Sequence, residues 1–241
     1  EAVPRLQELW RKHEEKWPDA RRPPADRSQD EPGSWRSDSG YPLNERDNRA
    51  VESEYQRIAQ NEKRVTELME DVEHASAGRL VGKEFRLKGG RRFKEKVAAA
   101  RDGAPNTDIG RILSNVHDVV RYTLEYGEEK YAAGVNGDVN RMRGAGLELV
   151  RIKNSWESIE YKGINSQWRD NDTGQLFEVQ YHTRISFEAK QMTHKAYERL
   201  RTITSQDPAN RSQVRDLHTY QREVTAHIPI PEGATLIQDY P

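Results

Sequence analysis

The sequence predicts an α+β fold: a mixed sheet of about five strands flanked by helices, with a helical N-terminal extension. Two observations predict it. Apolar residues recur at helical spacing through the first third of the chain, and beyond Ala75 short β-branched and aromatic runs alternate with helical ones. A third observation bounds the core. Apolar residues make up 34% of the 241, lean against the roughly 45–50% of average domains but enough for one core.

Residues 4–17 (PRLQELWRKHEEKW) read as a short amphipathic helix, with Leu6, Leu9, Trp10 and Trp17 at roughly helical spacing and Pro4 suited to a first turn. Residues 18–47 are rich in Pro, Ser, Asp and Gly, which predicts a long loop or extended arm. Trp35 and Tyr41 inside it point to a part that docks on the body. Residues 48–75 form a long helical pattern through Val51, Tyr55, Ile58, Val65, Leu68 and Val72. Residues 79–88 (RLVGKEFRLK) predict a strand, and 90–101 a helix opened by Gly89-Gly90. Residues 117–126 (HDVVRYTLEY) predict a strand, 128–144 a helix, and 147–154 (LELVRIKN) an alternating strand. Two further strands, 160–168 and 175–182, are joined by the turn RDNDTG. Helices follow at 185–205 and 208–224, the second opened by Asp207-Pro208, and the tail is extended. The predicted organisation is an extension over 1–77, an α+β domain over 78–206, and a C-terminal helix and tail over 207–241.

The 39 basic and 40 acidic residues leave a net charge of −1. That argues against a general nucleic-acid coat or a polybasic membrane binder, which need one-sided charge. No apolar run approaches the ~18 residues of a membrane-spanning helix. The absence of Cys removes disulfides, thiolate nucleophiles and Cys-ligated metal sites.

Three groups of residues are able to carry chemistry. Arg86 and Lys88 are two apart, so on a strand they share a face; Arg91, Arg92, Lys94 and Lys96 follow on the next helix. This much positive charge at a Gly-Gly corner suits a polyphosphate, or is a solvated basic face. Asp118 and Glu178 lie in apolar runs, where an acid is either salt-bridged or shares a Mg²⁺ with a second carboxylate. Tyr161-Lys162-Gly163, followed by Asn165 and Trp168, offers a ring beside a cation, for stacking a base or for packing. His117-Asp118 has the two letters of metal-dependent phosphohydrolases, but no further ligand set accompanies it. His182 and His194 are too far apart for a one-face zinc pair. No G-x-S-x-G, P-loop or G-x-G-x-x-G motif is present.

In their order these signals resemble the synthetase domain of the RelA/SpoT family, over roughly residues 78–202. The most specific pieces are FEVQYHT, which looks like the family's E-[IV]-Q-x-[RH]-T strand, and the helix carrying His194, eleven residues past Thr183. RYT at 121–123, KNSW at 153–156 and YKGINSQW at 161–168 look closest to small stand-alone or secreted actinobacterial members. The resemblance implies a Mg²⁺-dependent pyrophosphotransferase that moves the β,γ-pyrophosphate of ATP to the 3′-hydroxyl of a purine nucleotide, giving ppGpp- or ppApp-type alarmones.

By the same resemblance, Arg86 and Arg121 stack on the two faces of adenine, and Lys88 and Lys96 hold the ATP phosphates, with Arg92 and Lys94 beside them. Asp118 and Glu178 are the catalytic and Mg²⁺-binding acids, Glu178 also the base for the acceptor hydroxyl. Tyr161 stacks on the acceptor base, with Lys153, Lys162, Asn165, Gln180 and His194 on the acceptor side. The chain departs from the family pattern at Arg92, usually Ser, at Asn165, usually His, and at Gly163, often Ser. Asp118 stands three before Arg121 rather than five; both spacings are odd, so on a strand the acid keeps its face. Two alternatives stand beside this reading: a toxin that pyrophosphorylates the tRNA 3′ end and is matched by an immunity protein, and a non-catalytic nucleotide-binding domain. The chain begins at Glu1 and lacks Cys, which fits a processed, exported protein; the expected location is secreted, with cytoplasmic as the alternative.

Overall fold

The computed structural model describes residues 2–18, 26, 28, 30–203 and 208–241. Helix α1 (Ala2–Lys16) forms over the predicted stretch and turns Trp10 onto Tyr220, ring centroids 5.0 Å apart. The described part of the arm is more ordered than an extended loop. Strands β1 (Trp35–Arg36) and β2 (Pro42–Leu43) pair antiparallel, Leu43 is fully buried, and Trp35 and Tyr41 pack on the core. Most of the Pro-rich stretch 19–29 lies outside the described residues.

Helix α2 (Glu45–Ala75) starts three residues earlier than the periodicity predicts, because Asn44 caps it by accepting from the Asp47 amide at 2.8 Å. Its buried residues Val51, Ile58, Val65, Met69 and Val72 make one stripe. The strand predicted over 79–88 is corrected to three residues, β3 (Arg79–Val81). Gly82 ends it in the left-handed region at φ 64°, and Lys83–Phe85 make a 3₁₀ turn. The chain rejoins the sheet only at Leu87, which bridges Val120. Arg86 and Lys88 therefore do not sit on a common ladder strand.

Helix α3 (Gly90–Gly103) is as predicted. Helix α4 (Ile109–Ser114), capped by Asp108, has no counterpart in the sequence reading; two buried residues, Ile109 and Ile112, are too few to set a period. Strand β4 (Arg121–Tyr126) begins four residues later than predicted, so His117 and Asp118 lie in the approach to the strand rather than in it. The alternation argument for the face of Asp118 does not apply there. Helix α5 (Tyr131–Gly144) and strands β5 (Leu147–Asn154), β6 (Ile164–Asp170) and β7 (Leu176–Thr183) follow the prediction, β6 starting after Tyr161 instead of including it. Helix α6 (Arg184–Thr202) opens on a Thr183/Ser186 capping box. A 3₁₀ turn (Pro208–Asn210) leads into α7 (Arg211–Thr225); Asp207, predicted to open this helix, lies outside the described residues. The tail, predicted to be extended, folds a 3₁₀ turn (Ala234–Leu236) and then pairs its backbone at Tyr240 with Ile152.

The sheet runs β3-β4-β7-β6-β5, with β4 parallel to β7 and the other neighbours antiparallel. Tyr122, Leu124, Ile164, Trp168, Phe177, Val179 and Tyr181 form its apolar face, all buried. Helices α2 and α5 cover that face: Thr66 meets the Tyr122 hydroxyl at 2.7 Å, and the Tyr131 hydroxyl donates to the Tyr181 carbonyl at 2.8 Å. Among the described residues, no helix is long and apolar enough to cross a membrane.

Candidate active site

With one face of the sheet committed to the core, period 2 sends the alternate side chains to the other. Register then lines them up in rows. One row is Arg121, Glu178, Gln167 and Arg151; the next is Thr123, Gln180, Asn165 and Lys153. Pairing of β4 with β7 thus sets Arg121 opposite Glu178, Arg121 Nε lying 3.1 Å from Glu178 Oε1. The Nε–H does not point at that oxygen and stays buried without a hydrogen-bond partner, so the contact is one of charge.

Asp118 joins from the loop. The amide of Lys88 donates to the Val119 carbonyl and the amide of Arg121 to the Arg86 carbonyl, each at 2.8 Å, so segment 86–88 runs beside 119–121. Lys88 Nζ then donates to Asp118 at 2.9 Å, and Lys96, from α3, donates to its other oxygen. Arg121 approaches the same carboxylate at 3.8 Å. Burial works against the ionised acid, but the bonds from Lys96 and Lys88 outweigh it and hold Asp118 well below the usual carboxylate range. Burial pulls Lys88 down, Lys96 and Arg121 add to this, and Asp118 opposes it. Arg121 thus joins two acids, and three cations crowd around Asp118.

The network continues beyond the acids. Gln180 Nε2 donates to Glu178 Oε1 at 2.5 Å, and the Gln180 carbonyl oxygen accepts from Lys190 of α6. Burial, aided by Arg121 and opposed by Glu178, brings the Lys190 pKa down to about 8. Toward the end of β7, the Tyr161 hydroxyl donates to Asn165 Oδ1 at 2.8 Å and lies 3.0 Å from His182 Nε2. His182 is fully buried, with Nδ1 2.8 Å from the Ser186 hydroxyl. Gly163, at φ 149°, passes this ring so closely that a Cβ would lie 2.7 Å from it. That accounts for glycine at this position.

No protein-family model matches the chain, nor does any curated protein. Among solved structures, the small alarmone synthetase 2 from Bacillus subtilis superposes with a TM-score of 0.50 at 12% identity, over 73% of this chain and 90% of that one. The chain has the small alarmone synthetase fold. Two further structures are similar at lower scores. The small alarmone synthetase 1 from Bacillus subtilis, bound to its product pppGpp, gives 0.46 at 10% identity, over 70% of this chain and 88% of that one. A GTP pyrophosphokinase family protein from Streptococcus pneumoniae gives 0.45 at 12% identity, over 79% and 97%.

On this synthetase fold, the residues singled out from the sequence separate into groups. Lys88, Lys96, Asp118, Arg121, Glu178 and Gln180 form one connected network. Tyr161 and Asn165 form a second, in the row beside Gln180 that exposed Lys153 extends at the sheet edge. Arg86 is tied by an ion pair to Glu62, which is buried on α2. Lys94 turns away from Lys96 toward Glu52 and the Trp35 ring. Arg92 and His194 are exposed, and Lys162 donates to the Trp156 carbonyl at 2.8 Å. Lys190 and Glu62 are members that the sequence reading does not name, and His182 is one that it weighs only as a zinc ligand. Lys190 had one available signal, its four-residue spacing from His194 on the same helix.

Asp118 and Glu178 also fit a Mg²⁺ site by donor type, two carboxylates on either side of one guanidinium. Magnesium is commonly held by one or two carboxylates plus substrate phosphates and water. Among the described residues no cluster of three or more His, Asp and Glu donors exists, so a nucleotide would have to complete the shell.

Proposed function

We propose that the chain is an ATP-dependent 3′-pyrophosphokinase, moving the β,γ-pyrophosphate of ATP to the 3′-hydroxyl of a purine nucleotide. The observation that carries this reading is the array of Lys88, Lys96 and Arg121 around two acids on one sheet face. Transfer of so charged a group is mostly positioning and neutralisation. The two lysines, now spent on Asp118, are free to exchange its oxygens for those of the ATP phosphates. Asp118 and Glu178 would hold Mg²⁺, which when bound would offset negative charge on the ATP phosphates. Arg121 and Arg86 flank adenine, Arg86 kept in place by Glu62.

Tyr161, fixed at its hydroxyl by Asn165 and His182, offers its ring to the acceptor base. Glu178 accepts the proton of the 3′-hydroxyl as that oxygen bonds to Pβ. The bond from Pβ to the oxygen bridging it to Pα breaks, and AMP leaves. The balanced net charge favours small nucleotides over tRNA as acceptors.

The test incubates the protein with γ-labelled ATP, Mg²⁺ and, in separate lanes, AMP, ADP, GDP, GTP or deacylated tRNA. A labelled purine nucleotide longer than its acceptor supports the reading. Label on tRNA alone moves the acceptor to RNA, and nucleotide binding without transfer in any lane overturns the enzyme.

A further inference from the structure

We propose that Lys190 is a positioning residue for Glu178, acting through the Gln180 amide. This rests on the reading of Glu178 as proton acceptor and goes beyond it, since Lys190 lies outside the motif strand.

The argument begins with donors and acceptors. A protonated lysine only donates, a carboxylate only accepts, and a primary amide does both, at opposite ends. Gln180 sits between the two. Lys190 Nζ donates to its Oε1, and its Nε2 donates to Glu178 Oε1. A flipped amide would set two donors against each other at one end and two acceptors at the other, so Lys190 selects the orientation. The chain of bonds ends on the oxygen of Glu178 that also faces Arg121 Nε at 3.1 Å. Both contacts fall on Oε1, so in the proposed reaction Oε2 would take the acceptor hydroxyl's proton.

The lysine is itself held in place. It is half-buried on the first half of α6, its Nζ 5.4 Å from the Phe187 ring centroid. The helix is anchored to the end of β7 by the Thr183/Ser186 capping box, so the spacing from Gln180 to Lys190 is set by a short, fixed corner. Arg121 and Glu178 are the charged groups facing it from the sheet, and buried His182 lies nearby as a neutral ring. A residue that orients the base without touching substrate lowers turnover and leaves substrate KM nearly unchanged.

The experiment uses the full chain with Lys190→Met, Lys190→Arg, Gln180→Met and the Lys190→Met/Gln180→Met double variant. Lys190→Met lowers kcat about 10- to 100-fold while the KM for ATP and acceptor stay within about twofold. Lys190→Arg, which also only donates, recovers most of the loss. The double variant is no slower than Gln180→Met alone, because the lysine acts through the glutamine. Unchanged kcat in Lys190→Met, a loss confined to KM, or additive losses in the double variant would overturn the proposal. A second readout needs no turnover. In nitrogen-edited NMR spectra of the same protein, the Gln180 side-chain amide signals, identified by their loss in Gln180→Met, shift in Lys190→Met. Unmoved signals overturn the positioning role. A wild type without transfer but with that shift overturns the assigned reaction and leaves the Lys190–Gln180 link standing.

Discussion

At Glu178, Arg121 and Gln180 both meet one carboxylate oxygen, Oε1. Replacing the acid by its amide keeps shape and removes the proposed base. Glu178→Gln is expected to lower kcat by about 10²–10⁴, the usual worth of a general base, with ATP affinity little changed. Steady-state kinetics and ATP titration check both halves, and wild-type turnover in this variant would remove the base from the account. Tyr161→Ala raises the acceptor KM about tenfold, since a base–aromatic stack contributes about 1–3 kcal/mol. An effect confined to the KM for ATP would place Tyr161 on the donor side. Both residues were legible in the sequence, because a lone acid in LFEVQ and a Tyr-Lys-Gly step stand out from their neighbours. Lys190, His182 and Glu62 were not, because their meaning lies in partners 10, 21 and 24 residues away. Helical spacing tells which residues share a face, not which strand that face meets.

Elements place these residues, and here the corner between β7 and α6 matters most. The Thr183 hydroxyl accepts from the Ser186 amide, and the Ser186 hydroxyl accepts from the Thr183 amide at 3.0 Å. Ser186 also reaches His182, so one cap holds the helix that carries Lys190 and the ring that holds Tyr161. Thr183→Ala is expected to destabilise the fold by about 1 kcal/mol, the usual worth of an N-cap, and to lower turnover as well. Urea unfolding and kinetics on one preparation test this; unchanged stability would mean that the cap is redundant. At this scale the sequence was most readable where elements are long. The stripe on α2 and the alternation in β5 and β7 announce themselves. Strand 79–88 did not, because left-handed Gly82 and a single 3₁₀ turn break a run whose composition is still that of a strand. The start of β4 was misplaced for a related reason. Residues 117–120 have strand composition, yet the ladder of β4 with β7 opens at Arg121.

The molecule as a whole buries its chemistry against a sheet whose far face is core, and this gives its stability a pH dependence. Burial, with repulsion from Lys190, brings the His182 pKa down to about 3 from an ordinary 6.5. The unfolded chain takes up that proton first, so stability falls as pH drops from about 6.5 toward 3, by at most about 1.4 kcal/mol per pH unit from this group. Burial lowers His13 and His117 too, and they add in the same direction. Asp118 acts later. Its depressed pKa contributes stability above the ordinary carboxylate value of 3.8 that is lost as pH falls through the folded value. Unfolding midpoints between pH 7 and 4 check this, and His182→Gln should flatten the slope. An equal slope in the variant would show that His182 does not carry it.

The central claim is that the acceptor oxygen attacks Pβ of ATP, on a sheet face where Lys88 and Lys96 neutralise the phosphates and Glu178 takes the proton. The most direct measurement follows the adenine end of ATP during turnover with a purine nucleotide acceptor. AMP released one-for-one with a nucleotide lengthened at its 3′ position, and lost in Glu178→Gln, is the predicted result. Release of ADP in its place would mean attack at Pγ and would contradict the account.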